Sequence, residues 1–172
     1  MKLILLMLTL AATAVLTACG GDGGTGTATP SPRPSTAETV SASPTTSVEE
    51  AVTAGYLQYW HVYSDALYNL DGSRLSDVMT GPRLQRAINE VSALLQQGRA
   101  VKIEVSNQPV VLQINGDRAT VFDEYQNRSG FIDPATKEPL SSPGAAEVIR
   151  DSVTLTQIDG VWKVLDSVRE TG

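Results

Sequence analysis

Residues 47–72, SVEEAVTAGYLQYWHVYSDALYNLDG, decide the fold class. Ser47 and Glu50 have the spacing of a capping box: the Ser47 hydroxyl can accept from the Glu50 amide while the Glu50 carboxylate reaches back to the Ser47 amide. The apolar positions that follow recur with the helical period. At about 100° per residue, Val52, Tyr56, Tyr59, Tyr63, Leu67 and Leu70 fall within roughly 80° of one another and predict one buried stripe. The helix is expected to stop at Asp71-Gly72, where glycine supplies a left-handed residue.

The pattern extends towards the C-terminus. A short helix is expected over 73–79, ending at Thr80-Gly81-Pro82, and Pro82 suits the first turn of a third helix. That helix carries Leu84, Ala87, Ile88, Val91, Leu94 and Leu95 on one face and stops at Gly98. From there the period changes to two. Val101, Ile103 and Val105 alternate with Lys102, Glu104 and Ser106, 110–114 is more continuously apolar, and Asn115-Gly116 predicts a hairpin turn into a strand over 119–125. Residues 128–146, with Pro134, Pro139, Pro143 and Gly144, read as a long loop. Strands over 148–158 and 161–168 are joined by Asp159-Gly160, a second favoured hairpin turn. Helices first and strands second predict an α+β domain with helices packed on one face of an antiparallel sheet.

On the N-terminal side, 20–46 is almost wholly Gly, Thr, Ser, Pro and Ala, with Val40 the only larger aliphatic residue, so nothing there offsets the entropy of ordering. This reads as a tether with a root-mean-square span of ~30 Å and an extended reach of ~90 Å. Within it, Gly21 to Gly26 formally fits a dinucleotide-binding fingerprint, but no strand precedes it and no helix follows to hold a pyrophosphate. Met1-Lys2 and the apolar run over 3–16 have the make-up of a secretory signal and are short for a bilayer span. Leu16-Thr17-Ala18-Cys19 resembles the lipobox of bacterial lipoproteins. That resemblance implies diacylglycerol on the Cys19 sulfur and cleavage on its amino side. Ordinary secretion, with cleavage after Ala14, would instead cut inside the apolar run. The expected organisation is a signal over 1–18, a lipidated Cys19 and linker over 19–46, and one domain over 47–172, held outside the cell by its membrane anchor.

Composition narrows the partners. The chain has 172 residues, 13 basic and 19 acidic side chains and a net charge of −6, which gives no long-range attraction to nucleic acid. Cys19 is its only cysteine, so the domain depends on its hydrophobic core and not on disulfides. One histidine and one cysteine do not make a histidine- or thiolate-rich metal site or a Ser-His nucleophile, and no motif asks for a cofactor.

The order of a long capped helix, two further helices and a sheet closing on Asp159-Gly160-Val161-Trp162-Lys163-Val164 is similar to the nuclear-transport-factor-2-like superfamily of cone-shaped domains. Leu75, Val78, Met79, Thr80, Gly81 and Leu84 also resemble the intermembrane-space domain of plastid division proteins. The second resemblance implies a non-catalytic domain whose groove receives a partner protein. Enzymes of the superfamily instead keep acids, bases and tyrosines inside the cone.

The residues leave both readings open. His61 and Asp65 share a helical face, but one opposite the buried stripe, which predicts a surface ion pair and not an acid/base dyad. Asp123, Glu124 and Asp151 interrupt apolar strands. One of them pointing inward would be a general base for an isomerase or dehydratase. Tyr56, Tyr59, Trp60 and Tyr63 form the densest aromatic group, a core stripe or the lining of a groove. The leading expectation is a membrane-anchored binding module for a peptide, an envelope protein, a second copy of the chain or a small apolar ligand.

Overall fold

The computed structural model describes residues 47–142 and 144–170; the expected signal, Cys19, the expected tether and Pro143 lie outside them. Helix α1, Val48–Asn69, begins with the expected capping box: the Glu50 amide donates to Ser47 Oγ at 3.1 Å and the Ser47 amide to Glu50 Oε2 at 2.8 Å. Its stop differs from expectation. Leu70, not Gly72, takes the left-handed conformation, at φ 57°. A left-handed leucine costs roughly 1–2 kcal/mol, and packing of its side chain against the core opposes that strain.

Helix α2, Leu75–Val78, is a single turn, and α3 spans Gly81–Gln97 with Pro82 in its first turn. The buried face of α3 is Arg83, Ala87, Val91 and Leu94, while Ile88 and Leu95 are exposed. Hydrophobic periodicity counts an arginine as surface. Here the helix is turned so that Arg83 points inward.

The strands are β1 Ala100–Lys102, β2 Val105–Ser106, β3 Pro109–Asn115, β4 Arg118–Asn127, β5 Gly130–Ile132, β6 Glu147–Ile158 and β7 Val161–Arg169. Strand β4 pairs with β2 and β3 on one side and β6 on the other, and β7 pairs with β6, all antiparallel. The expected strand through 101–105 is divided. Strand β1 pairs with β5 in a separate two-stranded sheet, and β5 lies in the stretch expected to be a loop. The break is held at Glu104, whose amide donates to Ser129 Oγ and whose carbonyl accepts from the Arg128 amide. Both hairpins are present. Asp159 and Gly160 fill the β6–β7 turn, both at positive φ; in the β3–β4 hairpin the closing pair is Asn115 and Arg118, so the turn lies one residue later, at Gly116-Asp117.

Register shifts leave Leu112 of β3 and Leu165 of β7 without cross-strand partners. Such bulges bend and twist a sheet, and the alternation along β4 turns Ala119, Val121, Asp123 and Tyr125 inward beneath the helices. Gly55 permits the closest approach of α1 to β7: a Cβ there would stand 2.8 Å from both Cβ and the carbonyl oxygen of Trp162. Alanine gains about 1 kcal/mol in helix propensity over glycine, whereas overpacking against backbone costs about 1–3 kcal/mol. Gly55→Ala is therefore expected to lower the urea midpoint; an unchanged or raised midpoint would contradict the contact.

Candidate functional site

Helices α1 and α3 and the inner face of the sheet line an open cavity of about 270 Å³. Helix α1 supplies Tyr59, Trp60 and Tyr63, α3 supplies Arg83 and Glu90, and the sheet supplies Val105, Tyr125, Asp151 and Arg169. The helical repeat explains the first group: positions 59 and 63 lie one turn apart, and their rings stack with centroids 5.7 Å apart and 8° between planes. Trp60 meets Tyr125 edge to face at 5.3 Å. These rings are both the core of α1 and one wall of the cavity.

The four candidate aromatic residues therefore separate. Tyr59, Trp60 and Tyr63 line the cavity, and Tyr56 belongs to a different polar cluster. Its hydroxyl donates to Asp123 Oδ2 at 2.8 Å, joined by Asn107 Nδ2 at 2.6 Å, while the Gln108 amide donates to Oδ1 at 2.7 Å. Asp123 is fully buried and does not line the cavity. It ties α1 to the segment between β2 and β3. Glu124, one residue on, points the other way and is exposed, paired with Arg150 at 2.6 Å. Of the three candidate acids only Asp151 lines the cavity, and it accepts from Tyr125 Oη at 2.7 Å with Arg169 Nε at 3.6 Å. His61 and Asp65 are both exposed, and among the described residues no ion pair joins them, so the expected surface pair is not formed.

The cavity's second carboxylate, Glu90, accepts from Tyr63 Oη at 2.5 Å. Burial holds the Tyr63 and Tyr125 hydroxyls protonated well above the usual phenol range, and the neighbouring carboxylates reinforce this, with the nearby arginines opposing it. Each acid thus receives a proton donor that does not ionise near neutral pH.

Sequence reading passed over Arg83. It is 7% exposed, its Nε and Nη2 donate to Tyr59 Oη at 3.1 and 2.9 Å, and its guanidinium lies 4.4 Å from the Tyr63 ring centroid. Among the described residues, no carboxylate oxygen approaches it within 4.0 Å. One signal was available: a cation in the first turn of α3 opposes the helix dipole, which favours acidic residues there. Tyr125 and Glu90 gave no signal, because a tyrosine in a strand and a glutamate on a helix are ordinary at such positions. Among the described residues, no group of acidic, histidine or cysteine side chains is arranged to hold a metal ion.

This architecture, helices on a curled antiparallel sheet, is an α+β fold that solved structures share. The intermembrane-space region of the chloroplast protein ARC6 superposes with a TM-score of 0.54 at 17% identity, over 71% of this chain and 97% of that one. A proposed beta subunit of an aromatic-ring-hydroxylating dioxygenase from Novosphingobium aromaticivorans gives 0.50 at 8% identity, over 73% and 93%. A nuclear-transport-factor-2-like protein with a cystatin-like fold from the same organism gives 0.44 at 14% identity, over 69% and 80%. No family's sequence profile matches the chain, and no curated protein matches it by sequence.

Proposed function

We propose that this chain is a lipid-anchored extracytoplasmic protein whose domain binds a ligand in the cavity without transforming it. The observation that carries the binding reading is the state of the cavity's polar groups. Both acids are engaged by tyrosine hydroxyls, and Asp151 also faces Arg169. Each such bond occupies one of about four acceptor sites on its carboxylate and holds that side chain in place, as the wall of a binding site requires. Arg83, a cation with no carboxylate oxygen within 4.0 Å among the described residues, also lines the space, which suits recognition. At about 270 Å³ the cavity lies near the ~300 Å³ lower end of small-molecule sites, so it suits a small molecule or a single side chain of a peptide.

The anchoring reading rests on the sequence. The signal-like run, the lipobox-like Leu16 to Cys19 and the tether over 20–46 are consecutive, as an anchored precursor requires. Among the described residues, no helix is long and apolar enough to cross a membrane. Each buried acyl methylene contributes about 0.8 kcal/mol, and two chains hold a protein at the bilayer where one is marginal. Cys19→Ser is expected to abolish incorporation of labelled fatty acid and to shift the protein from the detergent phase to the aqueous phase. Unchanged labelling and partitioning would overturn the anchor. For the domain, turnover of a defined substrate that disappears in Asp151→Asn would overturn the non-catalytic reading.

A further inference from the structure

We infer that the cavity takes a small organic monocarboxylate, its carboxylate gripped by Arg83. The inference rests on the binding reading above and specifies the ligand's chemistry. Arg83 is more than nine-tenths buried, yet among the described residues its hydrogen bonds go only to Tyr59. A buried guanidinium is costly unless a counter-charge or water meets it. Nε and one Nη2 hydrogen serve Tyr59; the far end of the fork, Nη1 with the second Nη2 hydrogen, remains for a ligand. The two hydrogen bonds to Tyr59 and the cation–π contact with the Tyr63 ring, at 4.4 Å, restrain the guanidinium. A planar carboxylate matches two parallel N–H donors.

The rest of the lining sets charge and shape. Glu90 and Asp151 share the cavity and repel a second negative charge, so a monoanion is favoured over a phosphate dianion. Trp60, Tyr125, Ile103 and Val105 complete the wall, whose exposed surface is more polar than apolar. The volume limits the ligand's body to about one ring.

The test is equilibrium dialysis of labelled benzoate, phenyl phosphate and benzamide against the full-length chain in lipid nanodiscs, with empty nanodiscs as the blank. Benzoate is expected to bind at least about tenfold more tightly than either competitor, the scale of one charge-assisted pair. Arg83→Met should remove that preference, so that benzoate binds the variant no more tightly than benzamide does, and Val105→Trp, which fills the cavity, should remove binding of all three probes. The comparison of probes on the unsubstituted protein needs no variant to fold. Equal binding of benzoate and benzamide, or tighter binding of phenyl phosphate, would overturn the carboxylate assignment and leave the cavity reading standing. Binding that survives Val105→Trp, or no binding by any probe, would overturn both.

Discussion

Above pH 10 the protein is expected to lose stability steeply and then unfold in one cooperative step. Tyr56, Tyr59, Tyr63 and Tyr125 are all at least 93% buried by surface area. Burial is the main cause that raises their hydroxyls above the ordinary value of 10.0, and for Tyr56, Tyr63 and Tyr125 a carboxylate at hydrogen-bond distance adds to it. The sign follows from linkage. A group whose folded pKa is raised contributes stability that is fully present below its unfolded pKa and is lost as pH climbs towards its folded value. Between those two values each tyrosine removes about 1.4 kcal/mol per pH unit, so four acting together remove up to about 5 kcal/mol per unit. Since domains of this kind are stable by about 5–15 kcal/mol, one to three units above pH 10 should suffice. Tyrosinate absorbance from these four rings should rise in the same step in which near-ultraviolet circular dichroism is lost. A gradual rise with the dichroism intact would contradict their burial.

Asp123→Ala is expected to destabilise the domain by about 3–5 kcal/mol, the scale of removing one partner from a buried, charge-assisted cluster. Three donors, from Tyr56, Asn107 and Gln108, converge on this carboxylate, and alanine removes the acceptor of all three, leaving the buried Tyr56 hydroxyl unsatisfied. Asp123→Asn should be nearly as damaging, because its amide nitrogen brings a donor to a site that already has three. A cycle with Tyr56→Phe separates the shares: the double substitution should cost less than the sum of the singles, since removing both partners removes the unmet hydrogen bond. Strict additivity in urea unfolding would contradict the cluster. The same experiment speaks to chemistry, because a base in a catalytic cavity is normally replaced with little loss of stability.

Much of the fold was legible because local signals agreed with one another. The Ser47–Glu50 box, Pro82 and Asp159-Gly160 act through neighbouring backbone, and the structure has each of them in its expected role. The failures occur where distant parts of the chain decide. Leu70 replaces Gly72 as the helix stop through its packing, and β5 is a strand only because β1, roughly thirty residues earlier, gives it a partner. The site was legible in part: the aromatic spacing on α1 pointed to three cavity residues. Tyr56 was grouped with them because spacing on one helix does not reveal what lies opposite each ring. Arg83 was missed for a related reason. Polarity patterns assign a charge to the surface, and only the joint presence of Tyr59, Tyr63 and the sheet makes an inward arginine tenable.

The most direct test of the anchored, ligand-holding reading is native mass spectrometry of the full chain extracted from its own membrane, beside the Val105→Trp variant. The expected mass begins at Cys19, includes a diacylglyceryl group, and carries in the parent protein alone a small molecule that is released on denaturation. An unmodified Cys19, a different first residue, or identical masses for the parent and the filled-cavity variant would contradict it.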